Sequence, residues 1–230
     1  MRRHTIQLAS LALALVGYWL PWLTHPAAAL RLNGYELSEW VTFLPGVRDG
    51  SLPVSRLAFL LPLVCLALLF GLVASRPRRA PAQLLGRPSS DEPSVGRTGL
   101  SALLPPVRGL GGWGLLATGV VCDLIVFPPY PYILTAYADP EFRTQLFVAA
   151  LGLIALFFEL YLPADLKAGL QIILAGAAAG LGLRTLLVVR PVASSLLGTP
   201  WPIGLGWPAM LIGFAGLVLV GLGQLFGARE

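Results

Sequence analysis

The chain has 230 residues, of which 56% are hydrophobic and only 12% are charged, and its mean hydropathy is +0.77. A soluble domain normally carries about 25% charged residues, so this composition excludes an ordinary water-soluble globular protein. The formal net charge of +5 does not indicate nucleic-acid binding here. In a membrane protein, basic residues in the short loops instead set the orientation of the helices.

A membrane-spanning helix needs about 20 mostly apolar residues. Each such segment must be helical, because lipid offers no partners for backbone polar groups. The segments that qualify cover residues 5–23, 56–74, 109–128, 144–162, 168–189 and 207–226. Six prolines fall at or near the ends of these segments, where they interrupt no interior hydrogen bond: Pro21, Pro26, Pro128, Pro129, Pro163 and Pro191. The sequence therefore predicts an all-α membrane protein, a six-transmembrane-helix bundle.

The first segment also resembles a cleavable signal peptide. Basic residues precede an apolar run, and Ala27 and Ala29 have the spacing of a cleavage site. The length of the apolar run and the bulky Trp19 and Trp22 nearby favour an uncleaved helix instead. If residues 1–29 were removed, the later segments would keep the same orientation.

Basic residues are concentrated at the N-terminus and in the loop 75–108. Because such residues stay in the cytoplasm, this predicts that both termini are cytoplasmic. The same loop is rich in Pro, Arg, Ser and Gly, which predicts a flexible linker. It separates a two-helix unit, 1–74, which carries an outer amphipathic loop, from a four-helix unit, 109–230. The almost exclusive use of Arg over Lys fits a GC-rich bacterial genome, so we expect a multi-pass protein of the bacterial inner membrane.

Most tryptophans and tyrosines fall on the predicted outer side. Ordinary aromatic belts occur at both membrane interfaces, so this bias suggests an outer surface that binds a partner protein, a lipid or an apolar ligand. Anchoring of the proline-rich loops is the alternative. Residues 35–44 of the first outer loop predict a short amphipathic helix on the membrane surface. The candidate binding residues are Trp19, Trp22, Trp40, Tyr130, Tyr132, Trp201 and Trp207.

Three charged residues fall inside the predicted spans, where charge is costly. Asp123 and Arg184 have similar predicted depths near the outer side, which predicts an intramembrane ion pair between the third and fifth spans. In the alternatives, Arg184 snorkels to the interface while Asp123 bonds a backbone amide, or the two serve a proton or substrate. Glu159 lies near the inner end of the fourth span, within reach of Lys167 or the interface.

Glycines at four-residue spacing predict close helix packing, because they let two backbones approach each other. Gly112 and Gly119 share a stripe with Asp123, and Gly176 and Gly180 share one with Arg184. Gly223 and Gly227 form a third pair with the same spacing.

The sequence offers no catalytic set, no metal-ligand cluster and no cofactor motif. We therefore expect a non-catalytic subunit or scaffold of a membrane complex, with a membrane-protein partner or a second copy of the chain. A small-molecule or ion carrier with a polar Asp123/Arg184 site is the second hypothesis. An intramembrane lipid-modifying enzyme is the third, and nothing suggests nucleic acid as a partner.

Overall fold

A computed structural model describes residues 2–25, 30–75, 107 and 109–227 of the chain. Six long helices dominate this part of the molecule. They are α1 (Arg2–Trp19), α4 (Arg56–Ala74), α5 (Gly109–Val126), α6 (Pro140–Phe158), α7 (Ala164–Leu197) and α8 (Gly206–Gly227). The predicted linker lies outside the described residues except at its ends, where Ser75 and Val107 form an isolated antiparallel bridge.

Short elements fill the loop after α1. Two antiparallel strands, β1 (Leu23–His25) and β2 (Leu30–Leu32), precede α2 (Gly34–Trp40) and α3 (Pro45–Arg48). The predicted amphipathic helix therefore exists as α2, and it begins with a capping box in which Asn33 and Glu36 satisfy each other's backbone amides. Single 3-10 turns cover Val41–Phe43, Tyr132–Leu134 and Glu159–Tyr161.

Five of the described helices are long and apolar enough to cross a membrane, which identifies a multi-pass membrane protein. These are α4, α5, α7, α8 and the segment Phe142–Tyr161 built on α6. The first predicted span, α1, is not among them, because its 18 residues include Arg2, Arg3 and His4 in the first turn. The predicted count of six is therefore not confirmed.

Helix α4 lies at the centre of the bundle. It packs between α5 and α7 and also contacts α6 and α2, while α1 packs along α8, and α8 along α7. Side chains along α4 are buried almost throughout, which explains why this segment is the most apolar of the five. The two units predicted from the sequence are thus interleaved: α4 is enclosed by helices of the second unit.

Glycines make the closest helix contact, between α1 and α8. A Cβ atom on Gly213 would lie 2.5 Å from the backbone nitrogen of Ala14. A Cβ on Gly17 would overlap the backbone of Met210, and one on Gly206 would overlap that of Leu20. This absence of side chains lets the two helices approach along most of their length.

The predicted packing glycines divide into two groups. Gly119 fulfils the prediction, because a Cβ there would lie 2.7 Å from the carbonyl oxygen of Ala67 in α4, and Gly112 is also buried. By contrast, Gly176, Gly180 and Gly223 pack against no other helix among the described residues, because nothing there lies within 4 Å of the position that a Cβ atom would take. At Gly227 the nearest group is the side chain of Arg3.

Hydrogen bonds between helices show which residues lie at the same height along the axis of the bundle. Near one end of the bundle, Lys167 in α7 donates to the hydroxyl of Ser75 at the end of α4, over 2.7 Å. Near the other end, the indole of Trp207, at the start of α8, donates to the carbonyl oxygen of Gly182 over 3.2 Å. We call the end formed by residues 20–25, 30–55, 127–139 and 198–205 the loop end; it corresponds to the predicted outer side.

Candidate functional site

The predicted ion pair between Asp123 and Arg184 does not form. Asp123 is completely buried, and among the residues that the structure describes neither of its carboxyl oxygens has a hydrogen-bonding partner, backbone amides included. Arg184 is exposed on α7. The physical reason is that α4 packs between α5 and α7, so the two side chains lie on different sides of it.

Arg184 instead is exposed on α7, close to the level at which α8 begins. It is two residues beyond Gly182, which is level with the start of α8. An arginine at that level can extend its guanidinium into the interfacial region while its methylene groups remain on apolar surface. This exposed position is compatible with the snorkelling alternative, and the two charged groups do not meet in one site.

The two buried carboxyl groups occupy one seam between α4, α5 and α6. Asp123 packs against Gly152 of α6, and Glu159 packs against Gly71 of α4. Gly152 lies in α6, and Glu159 begins the 3-10 turn that directly follows this helix. Glu159 also interacts electrostatically with Lys167, as the sequence suggested. Each carboxyl group thus occupies the space that a glycine leaves free.

The predicted aromatic binding residues separate into a core set and a surface set. Trp22 and Trp201 are fully buried, so their assignment to a binding surface is wrong. The Trp201 ring lies 5.3 Å from that of His25 and 6.0 Å from that of Trp40, and it packs the loops onto the bundle. These tryptophans are buried because the loop end folds over the helices rather than spreading on a surface.

The other aromatic residues predicted to form a binding surface are partly exposed. Trp40 and Trp207 are half-buried, while Trp19 is 40% exposed. Tyr130 and Tyr132 are the most open, at 81% and 52% exposure. The exposed aromatic surface of the loop end is therefore made mainly by tyrosines between α5 and α6.

Beside those tyrosines lies an open cleft of about 870 Å³, which we call the Arg56 cleft. It is formed by the α2–α3 region, the start of α4, the start of α6 and the loop before α6. Its polar lining consists of Glu39, Thr42, Arg48, Ser55, Arg56, Asp139, Thr144 and Gln145. Aromatic side chains of Phe43, Tyr132 and Phe142 line the rest together with aliphatic and proline residues.

Arg56, the first residue of α4, organises the cleft although it is only 9% exposed. Its guanidinium forms an ion pair with Glu39 and donates to Gln145 over 3.4 Å. Gln145 in turn donates to the carbonyl oxygen of Val126 over 2.7 Å. The guanidinium carbon also lies 4.8 Å from the centre of the Phe142 ring, a cation–π contact. Arg56 thus ties α2, α4 and α6 together.

The charged groups of the cleft affect the pKa of a neighbouring tyrosine. Burial raises the pKa of Tyr35, the nearby carboxylate of Glu39 raises it further, and Arg56 opposes both effects. The phenol ring stacks on Trp19 with 6.2 Å between ring centres. Tyr35 consequently stays neutral at physiological pH and acts as a packing residue between α1 and α2.

Sequence reasoning missed the Arg56 cleft. None of Glu39, Arg48 and Arg56 was among the predicted site residues. The residues that meet here come from three separate segments, so no local spacing connects them. The one available signal is an arginine at the exact start of a highly apolar helix.

No protein-family model, curated protein or solved structure matches this chain.

Proposed function

We propose that the protein is a non-catalytic subunit or scaffold of a bacterial inner-membrane complex, and that its partner binds at the loop end. In this proposal α1 is a sixth span, both termini are cytoplasmic and the loop end faces outward. The arginine distribution supports this orientation. Ile6 and Val16 of α1 are about half exposed, as is typical of a lipid-facing helix.

The observation that carries the proposal is the loop between α5 and α6, which we call the tyrosine loop (residues 127–139). Tyr130, Tyr137 and Leu134 in this loop are 81%, 69% and 65% exposed. Tyrosine is enriched in the centres of protein interfaces, where its ring adds contact area and its hydroxyl can form a hydrogen bond. A contiguous set of such side chains favours a protein partner.

The tyrosine loop is also held in a defined shape. Its 3-10 turn at Tyr132–Leu134 is closed by backbone hydrogen bonds. The ring of Tyr132 stacks on that of Phe142 at 5.2 Å and 17°. A preordered loop loses less conformational entropy on binding, which supports recognition rather than simple anchoring.

Hydrogen bonds in the membrane interior support a structural role for the helices. Gln7 of α1 donates to Gln171 of α7 over 2.9 Å, and Gln171 donates to the carbonyl oxygen of Leu217 in α8 over 2.7 Å. These buried amides use their polar groups to join three helices. The surfaces left for recognition are then those of the loop end.

Replacing Tyr130 and Tyr137 by serine tests the proposal. The tagged protein, purified in mild detergent from the cells that naturally make it, should carry a stoichiometric partner, measured by mass spectrometry and quantified against the tagged chain. The double variant should retain at most about a tenth of it, since two interface anchors are removed. Trp113→Ser, which changes a 45% exposed aromatic residue at the opposite end of α5, should retain it fully.

Either of two results would contradict the proposal. The first is that no chain co-purifies in a fixed ratio, which would leave anchoring as the role of the loop. The second is that the partner is lost equally in the Trp113→Ser control, which would place the contact elsewhere.

A further inference from the structure

The Arg56 cleft has the size and lining of a binding site and does not depend on a partner protein. Ligand sites are typically cavities of about 300–1,000 Å³ in which apolar walls surround a few placed polar groups. The cleft, at about 870 Å³, falls within that range. Its lining combines charged groups with aromatic rings.

The charges of the cleft leave one cation without an acidic partner. Glu39 is paired with Arg56. Asp139 directly precedes α6, where the helix dipole offsets a negative charge. Arg48 is held by a bond from its Nε to the carbonyl oxygen of Thr42, 3.1 Å, and within the described residues it has no carboxylate within 4 Å. The cleft therefore favours an anion near Arg48.

One further feature strengthens that preference. The start of α4 lines the cleft, and Ser55 before it gives no side-chain cap. The Arg56 charge is balanced by Glu39, so the positive end of the helix dipole and the Arg48 guanidinium supply the positive potential of the cleft.

The walls of the cleft fit an apolar group attached to that anion. Phe43 is 67% exposed although it lines the cleft beside Val47 and Leu57. Since Arg56 begins the most apolar helix of the bundle, the cleft lies where that helix leaves the hydrocarbon layer. Lipid phosphate groups lie at this depth.

We propose that the Arg56 cleft binds the phosphate of an anionic phospholipid, with the phosphate at Arg48 and the glycerol and first acyl carbons along Phe43. Arg56 positions the site through its contacts with Glu39, Gln145 and Phe142. A soluble phosphate ester has the same anionic group and would occupy the same position without the apolar wall.

The test uses the purified full chain in a zwitterionic detergent. Binding of short-chain phosphatidylglycerol is measured by native mass spectrometry, with glycerol phosphate as the soluble probe. Arg48→Gln should weaken lipid binding about tenfold, the loss expected for one charge-assisted contact. Phe43→Gln should weaken binding of the lipid but not of glycerol phosphate. Both positions are exposed, so neither change should unfold the protein.

Arg190→Gln is the matched control. Arg190 is also exposed, and its Nε also donates to a backbone carbonyl, that of Trp201 at 3.0 Å, but it does not line the cleft. Unchanged binding in this variant supports the site. Binding of glycerol phosphate with similar affinity would support the site and identify a soluble ester as its ligand. Failure of both probes to bind, or equal losses in Arg48→Gln and Arg190→Gln, would overturn the proposal.

Discussion

Three charged side chains in this bundle illustrate how position decides the effect of a charge. Arg56 is buried and has an ion pair, an amide and an aromatic ring as neighbours. Asp123 is buried, and no described residue forms a hydrogen bond with its carboxyl group. Arg184 is exposed close to the level at which α8 begins. Sequence alone places Asp123 and Arg184 at similar depth but cannot tell which helix separates them.

Double-mutant cycles should distinguish these residues. Asp123→Asn and Arg184→Gln should change the free energy of unfolding additively, within about 0.5 kcal/mol, because the two side chains share no contact. The cycle of Glu39→Gln and Arg56→Gln serves as the positive control. It should show coupling of about 0.5–1 kcal/mol, at the low end for an ion pair because Glu39 is 37% exposed. The free energy of unfolding of each variant is measured in mixed micelles. Coupling between Asp123 and Arg184 in the first cycle would show that their side chains do interact.

The helices show which glycine patterns lead to close packing. The four-residue spacing of Gly176 and Gly180 suggested a contact, yet both face open space. Gly17, Gly206 and Gly213 lie where α1 meets α8, without that spacing within one helix. Spacing identifies a smooth helix face, but whether another helix covers it depends on which helices are neighbours. Which helices are neighbours cannot be read from a short stretch of sequence.

Gly213→Ala should therefore separate α1 from α8. The new methyl group would lie 2.7 Å from the carbonyl oxygen of Ser10 as well as close to Ala14, and backbone atoms cannot move aside as a flexible side chain can. We expect a loss of about 1–3 kcal/mol in unfolding free energy, typical of overpacking.

Gly223→Ala, in the same helix, is the control, because nothing lies within 4 Å of its Cβ position. It should leave stability unchanged or raise it by less than about 1 kcal/mol, since alanine is the better helix former. Equal losses in the two variants would mean that α1 and α8 do not pack as described.

At the scale of the whole molecule, composition predicted the fold class and most of the helices. Long apolar segments bounded by prolines give a strong signal, and five of the six predicted segments correspond to helices that can cross a membrane. The interleaving of the two units was not predictable, because apolar faces on Leu-rich helices look alike from sequence. The Arg56 cleft depends on that interleaving and was missed for the same reason.

Accessibility labelling should establish the proposed orientation. Ser51→Cys, in an exposed stretch of the loop end, should react with a membrane-impermeant maleimide on intact cells. Leu166→Cys, 58% exposed near the opposite end of α7, should react only after the membrane is opened. The natural cysteines, Cys65 and Cys122, are buried and should give little background. The reverse pattern would invert the topology, and labelling of both positions on intact cells would rule out a bundle that spans the membrane.

The pairing of α1 with α8 has a consequence for biogenesis. Helix α1 leaves the ribosome well before α8, so it meets its main neighbour only after the helices between them have been made. Until then, Gln7 and Ser10, both buried in the finished bundle, face lipid or the insertion machinery. A stalled or truncated chain would therefore display an amide and a hydroxyl in the membrane, a mark by which quality-control proteases could distinguish it from the completed protein.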